Sequence, residues 1–423
     1  MAPAAAGDGT QPGARSWVDG GWLDRRRLAI GAALLLAFEL GMFAFLVAGT
    51  HGWIVPLDQP TTTDFISFYA AGALAKAGTP ALAYDHAAHL AVEELVVGAG
   101  IGYQYFNYPP VFMLLCAVLA PLPYLVAFVL FEGATLLFYL FVARRILADR
   151  SNTALIVLLA FPIVFWNFGL GQNAFLTAAL FGAATLLVDR RPVVAGLLFG
   201  ALCYKPQFGL MIPLALAAGG QWRAFAAAAA SAVALVLASI AVFGVETWGA
   251  FVATVMGSPA MYQSGRILFA GMANVFGGAR VLGAESTLAY ALQAVATVSA
   301  GILVVMAWRH RLSLPSRAAA LAAATVVAAP LVLLYDLMLA AVAAAWLVRD
   351  RNSPAASAWE MVLLVVIYLV LLDGRTLAEQ WHVPVFPLAA IGVLAIAAGR
   401  AWRELALTRA TADYCGSRIS SRS

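Results

Sequence analysis

Apolar residues run through this chain in long blocks separated by short polar punctuation. The blocks fall near 28–48, 124–143, 152–168, 172–188, 192–204, 206–219, 222–243, 286–308, 316–333, 335–348, 357–372 and 384–402. A helix needs about 20 apolar residues to cross a hydrocarbon core, and several blocks reach or approach that length. None alternates with period two, as the strands of a barrel would. The pattern predicts an all-α polytopic membrane protein with about 12 transmembrane helices. One further block, "PPVFMLLCAVLAPLP" at 109–123, is short and bounded by prolines, which end helices. It is read as a re-entrant or tilted half-span, a form that needs protein rather than lipid around its backbone. Blocks 192–204 and 206–219 are also short and meet at Lys205-Pro206, so their hairpin is expected to hold Lys205 below the outer surface.

Composition supports the same class. Of 423 residues, 63% are hydrophobic and 11% charged, against about 25% charged in soluble domains. The formal charge of +4 does not point to nucleic acid, because the basic residues sit in small clusters at block ends. These are Arg25/Arg26/Arg27, Arg144/Arg145/Arg150, Arg190/Arg191, Arg223, Arg309/Arg311/Arg317, Arg349/Arg351 and Arg400/Arg403. Placed in the cytoplasm, as basic loops usually are, they put both termini inside. The segments around Gly169 to Asn173, Lys205, 244–285, Asp336 and 373–383 then lie outside. The first apolar run exceeds the h-region of a cleaved signal peptide, so that helix is expected to be retained. Residues 1–24 read as a disordered cytoplasmic tail, 25–404 as a single transmembrane domain with a large periplasmic loop at 49–109, and 405–423 as a cytoplasmic tail. Within the loop, Phe65, Phe68, Tyr69 and Gly72, and then Ala88, Ala91, Val92 and Leu95, follow helical spacing. Both sets predict amphipathic helices on the membrane surface. The three cysteines, Cys116, Cys203 and Cys415, are too scattered for a disulfide framework or a CxxC metal site. No internal repeat suggests the inverted halves of a secondary transporter.

Candidate chemistry gathers at the outer ends of the spans. Asp64, in "TTTDF", is placed to cap the helix that follows or, facing a water-filled cavity, to accept a proton from a hydroxyl nucleophile. "GLGQNA" at 169–174 imitates a dinucleotide fingerprint but lacks the strand and the soluble βαβ unit that motif requires. It reads instead as a tight turn whose Gln172 and Asn173 amides suit a polar ligand such as a sugar. Lys205 must meet an anion or water at its depth. A lipid-linked phosphate is one candidate, with Tyr204 and Gln207 adding hydrogen bonds, and Lys205→Met is then expected to preserve or improve stability. His86, His89 and Glu93 share one helical face and read as the polar side of a surface helix; no metal-ligand pattern surrounds them. Tyr335-Asp336 forms another outside turn in which Asp336 serves as a cap or a ligand group. His382, Arg375 and Glu379 share the last outside loop.

Four segments, "DFISFYAAGALAKAGTPALAYD", "YFNYPPVFMLLCAVLAPLP", "GQNAFLTAALFGAATLLVDRRPVVAGLLFGALCYKPQFGLMIPL" and "YDLMLA", resemble in this order the polyprenol-phosphate-sugar-dependent glycosyltransferases of family 87. The resemblance implies a glycosyltransferase C-type fold, with a large first external loop carrying an acidic residue. It also implies Asp64 as catalytic base, and transfer of a hexose, often mannose, from a polyprenyl-phosphate donor to a lipid or glycan acceptor on the outer face. With it, Lys205, Arg266 and Tyr204 are expected at the donor phosphate. Gln172, Asn173, Tyr69, Tyr108, Asp336 and His382 are expected around sugar or acceptor. No cofactor, metal or nucleic acid is expected; the partners are donor, acceptor and membrane lipids. The competing class is a multi-pass lipid or solute transporter or flippase, which would distribute polar residues along several mid-membrane faces rather than at one side.

Overall fold

Prolines mark many of the helix starts. Pro110, Pro162, Pro192 and Pro315 occupy first-turn positions, where the missing N–H would have had no partner and the fixed φ suits the helix. The structure, a computed structural model, describes residues 24–49, 63–263 and 269–420. Most of the expected N-terminal tail, part of the 49–109 loop and the candidate Arg266 lie outside the described residues.

The described chain is helical: α1 (Arg25–Gly49), α2 (Phe65–Lys76), α3 (His86–Val97), α4 (Pro110–Leu119), α5 (Tyr124–Leu147), α6 (Asn152–Leu159), α7 (Pro162–Leu170), α8 (Ala174–Leu187), α9 (Pro192–Ala201) and α10 (Met211–Ala218). There follow α11 (Trp222–Phe243), α12 (Val245–Gln263), α13 (Val275–Val281), α14 (Ser286–Arg309), α15 (Leu314–Ala328), α16 (Met338–Arg349), α17 (Ala358–Val370), α18 (Gly374–Gln380) and α19 (Val385–Ser420). Helix thus occupies every predicted span. Among the described residues six segments are long and apolar enough to cross a membrane alone: Arg25–Phe45, Tyr124–Leu147, Trp222–Phe243, Ser286–Arg309, Ala358–Gln380 and Val385–Thr411. The α6–α7 pair, bent by 56°, makes a seventh if it is one span.

Several of the other expected spans are short helices packed inside the bundle. In α15 every residue from Ser316 to Ala328 is buried. Its run of alanines lets α14, α16 and α19 approach it closely, the packing mode available where lipid offers no hydrophobic drive between helices.

Three loop expectations change. Helix α2 is no surface helix: Phe65, Ile66, Ser67, Phe68, Ala70, Ala71, Gly72 and Leu74 are buried on all sides of it. Gly72 explains part of this, since a Cβ there would lie 2.2 Å from the Cys116 carbonyl oxygen of α4. Helix α3 does leave Ala91 and Leu95 outward, but His89 and Glu93 are fully buried. Its polar face turns into the protein rather than to water. The segment 244–285, expected as loop, carries α12 and α13.

Candidate functional site

Asp64 occupies the N-cap position of α2, yet its side chain makes no cap hydrogen bond. Its Oδ2 instead accepts from Gln172 Nε2 at 2.7 Å. The Gly171 turn makes this possible. Gly171 closes α7 in the left-handed region at φ 67, and a Cβ there would fall 2.7 Å from Cβ of Phe65. Only glycine accepts both the conformation and the contact. The turn is held from below by Asn167, which donates from Nδ2 to the Gln172 carbonyl at 2.9 Å and accepts from the Ala174 N–H at 3.1 Å. Asn167 Nδ2 also reaches Glu132 at 3.3 Å, a carboxyl buried in the α5 span.

Asn173 repeats the behaviour of Asp64. It is the N-cap residue of α8 without capping it, is fully buried, and neither of its amide atoms makes a hydrogen bond among the described residues. It lies close enough to the Tyr108 hydroxyl to influence its ionisation. Tyr108, in the bend before Pro109-Pro110, donates its hydroxyl to Gln172 Oε1 at 3.2 Å, and its own carbonyl accepts from Tyr84 at 2.8 Å. The N-termini of α2 and α8 are therefore linked through Gln172 and Tyr108.

Lys205 lies on the other side of Tyr108, its Nζ 6.0 Å from that ring. It sits between two short 3-10 turns, 202–204 and 206–210, and its Nζ donates to Asp336 Oδ1 at 2.6 Å, with side chains 3% and 5% exposed. Asp336 Oδ2 accepts from the Leu333 N–H at 3.1 Å. The rings of Tyr335, Phe208 and Tyr108 lie 5.4, 5.5 and 6.0 Å from the ammonium. The anion that sequence reasoning required for Lys205 is thus supplied by the protein itself. The stability expectation for Lys205→Met reverses accordingly, because the change would strand a buried carboxylate. Tyr204 pairs its hydroxyl with Thr177 at 2.8 Å and stacks on Phe112 at 5.2 Å.

Burial raises the Asp64 carboxyl to about 6, while the Gln172 hydrogen bond and the nearby Arg375 charge hold it down. The result is a base largely ionised at neutral pH, yet far more proton-hungry than an exposed carboxylate. Arg375 itself lies over Trp166 at 5.7 Å and pairs with Glu379 at 2.7 Å.

The structure thus brings together Asp64, Gln172, Asn173, Tyr108, Lys205, Asp336 and, one layer out, Tyr204. It does not bring in Tyr69, whose hydroxyl is spent on the Leu122 carbonyl at 2.8 Å. His382 is likewise apart, exposed with φ 54 in the turn between α18 and α19. Sequence reasoning missed Tyr335, Phe208, Glu132 and Asn167. The available signal was Glu132 itself, since an ionisable residue within an apolar span is a functional candidate by default. Among the described residues no group of three or more His, Cys, Asp or Glu side chains converges as a metal site would need.

No curated protein and no solved structure matches the chain. The family model described as "Glycosyltransferase family 87" matches residues 106–335, a segment that runs from the strip before Tyr108 through Gln172 and Lys205 to Tyr335, with Asp64 and Asp336 flanking it. The match spans more than half of a polytopic helical chain, and the protein therefore belongs to glycosyltransferase family 87 and is a membrane glycosyltransferase.

Proposed function

We propose that the protein transfers a hexose, with mannose the first candidate, from a polyprenyl-phosphate donor to a lipid or glycan acceptor, with Asp64 as general base. The observation that carries this reading is the Asp64 carboxyl, which leaves its own helix uncapped and is held by Gln172 and, through it, by Tyr108, whose ring lies 6.0 Å from the buried Lys205 ammonium. A residue that only ended a helix would bond its own first turn. In the reaction, the acceptor hydroxyl gives its proton to Asp64 Oδ as its oxygen attacks the anomeric carbon. The bond from that carbon to the phosphate oxygen breaks, and the lipid phosphate leaves with the electron pair. One displacement inverts the anomeric centre.

Gln172 orients Asp64 through its Nε2, and its Oε1 is fixed in turn by Tyr108, so the base is aimed before substrate arrives. The positive ends of the α2 and α8 dipoles favour the negative charge that builds on the leaving phosphate. Lys205 adds to this, having N–H donors beyond the one given to Asp336. Because Lys205 is 2% exposed, contact requires the Tyr335 or Tyr108 ring to turn aside as the donor enters. The basic clusters at span ends support a periplasmic position for Asp64, and membership of the family supports a glycosyltransferase C-type arrangement in a bacterial cytoplasmic membrane.

The test is transfer of labelled sugar from a polyprenyl-phosphate donor to membrane-extract acceptors by purified protein, with chemical analysis of the anomeric product. Transfer that depends on a nucleotide sugar, or retention at the anomeric carbon, would overturn the reading.

A further inference from the structure

At the end of the bundle opposite Asp64 lies a cavity that sugar transfer as described does not use. Helix α5 measures the separation. Its first residue, Tyr124, pairs its hydroxyl with that of Thr63, the chain neighbour of Asp64, at 3.0 Å. Asp149, just past its other end, accepts from Arg25 of α1 at 3.1 Å. The 24 residues of the helix span about 36 Å. At the Asp149 end, α1, α6, α16 and α17 border a cavity of about 1030 Å³. Arg25, Arg27, Asp149, Arg351, Asn352 and Ser357 line its mouth.

The inner walls are mostly apolar and rich in small side chains. Leu28, Gly31, Ala32 and Leu35 mark one face of α1, and Ala341, Ala344, Ala345 and Val348 one face of α16, both with the spacing of a helical stripe. Space remains because glycine and alanine stand where longer side chains would fill it; a Cβ on Gly31 would meet nothing within 4 Å. Along α17 the lining runs from Ala358 to Leu369, about 17 Å at helical rise. That depth is close to half of a hydrocarbon core of about 30 Å, which is the reach of the chains of one leaflet.

Positive charge is in surplus at the mouth. Asp149 is the carboxylate there, and Arg25 already pairs with it. Arg27 leans on Asp24 at 3.5 Å. Arg351 is exposed, forms no ion pair among the described residues, and lies close enough for its charge to act on Asp149 as well. Arg144 and Arg349 at the same end bond carbonyl oxygens of Arg150, Arg145 and Ile146, which cancels no charge. A purely topogenic role asks for positive charge in a loop, not for an apolar cavity beneath it. We propose that this cavity binds an anionic phospholipid of the leaflet at the basic end, its phosphate on Arg351 and Arg27 and its acyl chains between α1 and α17. Basic pockets between membrane helices are a recurrent headgroup site. The lipid is not the sugar donor, whose phosphate has to reach Lys205 at the other end, and the inference stands whichever sugar is transferred. Its chains pack on α16, the helix that follows directly on Asp336, the partner of Lys205.

The test is thermal unfolding of the delipidated protein in detergent, titrated with phosphatidylglycerol, phosphatidylcholine, glycerol 3-phosphate or polyprenyl phosphate. Phosphatidylglycerol is expected to raise the melting temperature by on the order of 3 °C at a hundredfold excess over its Kd. Phosphatidylcholine, which brings the chains without net charge, and glycerol 3-phosphate, which brings the phosphate without chains, are expected to leave it nearly unchanged. Gly31→Phe puts a ring into the cavity from a position with open space around its Cβ. Without lipid it is expected to melt at or above wild type, since glycine is a poor helix former, and to lose most of the phosphatidylglycerol shift. Arg351→Gln, at an exposed site, is expected to melt as wild type without lipid and to bring phosphatidylglycerol close to phosphatidylcholine. Equal shifts from the two phospholipids, no shift at all, or a full shift retained by either variant would overturn the proposal. So would a polyprenyl phosphate shift that Gly31→Phe abolishes, because the cavity would then hold the donor chain.

Discussion

Asp64→Asn should separate stability from activity. The folded carboxyl holds its proton to about pH 6, against an ordinary value of 3.8. Each tenfold in proton affinity corresponds to about 1.4 kcal/mol, so keeping Asp64 ionised at neutral pH costs on the order of 2 kcal/mol once its partial exposure is allowed for. The folded state binds this proton more tightly than the unfolded chain. The cost is therefore absent below the unfolded value and complete above the folded one, and stability falls as pH rises between them. Asparagine removes the cost and keeps an oxygen to accept from Gln172 Nε2. The variant should match or exceed wild-type stability at pH 7, and its stability should no longer fall between about pH 4 and 6. Sugar transfer, by contrast, should drop by about 10² to 10⁴, the usual contribution of a general base. Wild-type transfer should itself decline below about pH 6. The assays are thermal unfolding in detergent across pH and transfer from a polyprenyl-phosphate donor at saturating acceptor. Transfer within a few-fold of wild type, or a clear loss of stability at pH 7, would refute the reasoning.

Lys205→Met leaves the Asp336 carboxylate buried without its cation and should destabilise by about 3–5 kcal/mol, whereas Lys205→Met combined with Asp336→Asn should recover most of that while remaining impaired in donor use; unfolding curves of the three proteins decide it. Gly171→Ala forces a Cβ against Phe65 at a left-handed position, so we expect a loss of at least about 1–2 kcal/mol together with reduced transfer. Gln172→Leu removes a hydrogen bond that lowers the Asp64 pKa, and the acid limb of the rate profile should move above that of wild type; an unmoved limb would detach Gln172 from the base. Thr79→Cys, at an exposed position in the first loop, should react with an impermeant thiol reagent in spheroplasts and Arg150→Cys should not; the opposite result inverts the topology.

Hydrophobic blocks and basic clusters determined the class of this protein, because crossing a bilayer imposes length and charge rules that act on the sequence directly. Helix occupies the predicted blocks, although among the described residues only six are long and apolar enough to cross alone, and Asp64, Gln172, Asn173, Lys205 and Asp336 were each legible as polar residues stranded beside apolar runs. Their relations were not. Asp64 and Gln172 are 108 positions apart, and Lys205 and Asp336 are 131 apart. Nothing in local spacing indicates that the first pair aims a base or that the second satisfies a buried charge internally. Helix α3 shows the limit most plainly. Its periodicity revealed one polar and one apolar face, but period alone cannot say which face meets water when the surroundings include both lipid and protein. Only the packing of α3 against α2, through His89 and the Ser67 carbonyl, turned His89 and Glu93 inward. Tertiary structure decided this because a side chain's exposure is set by what packs over it and not by the period of its own helix.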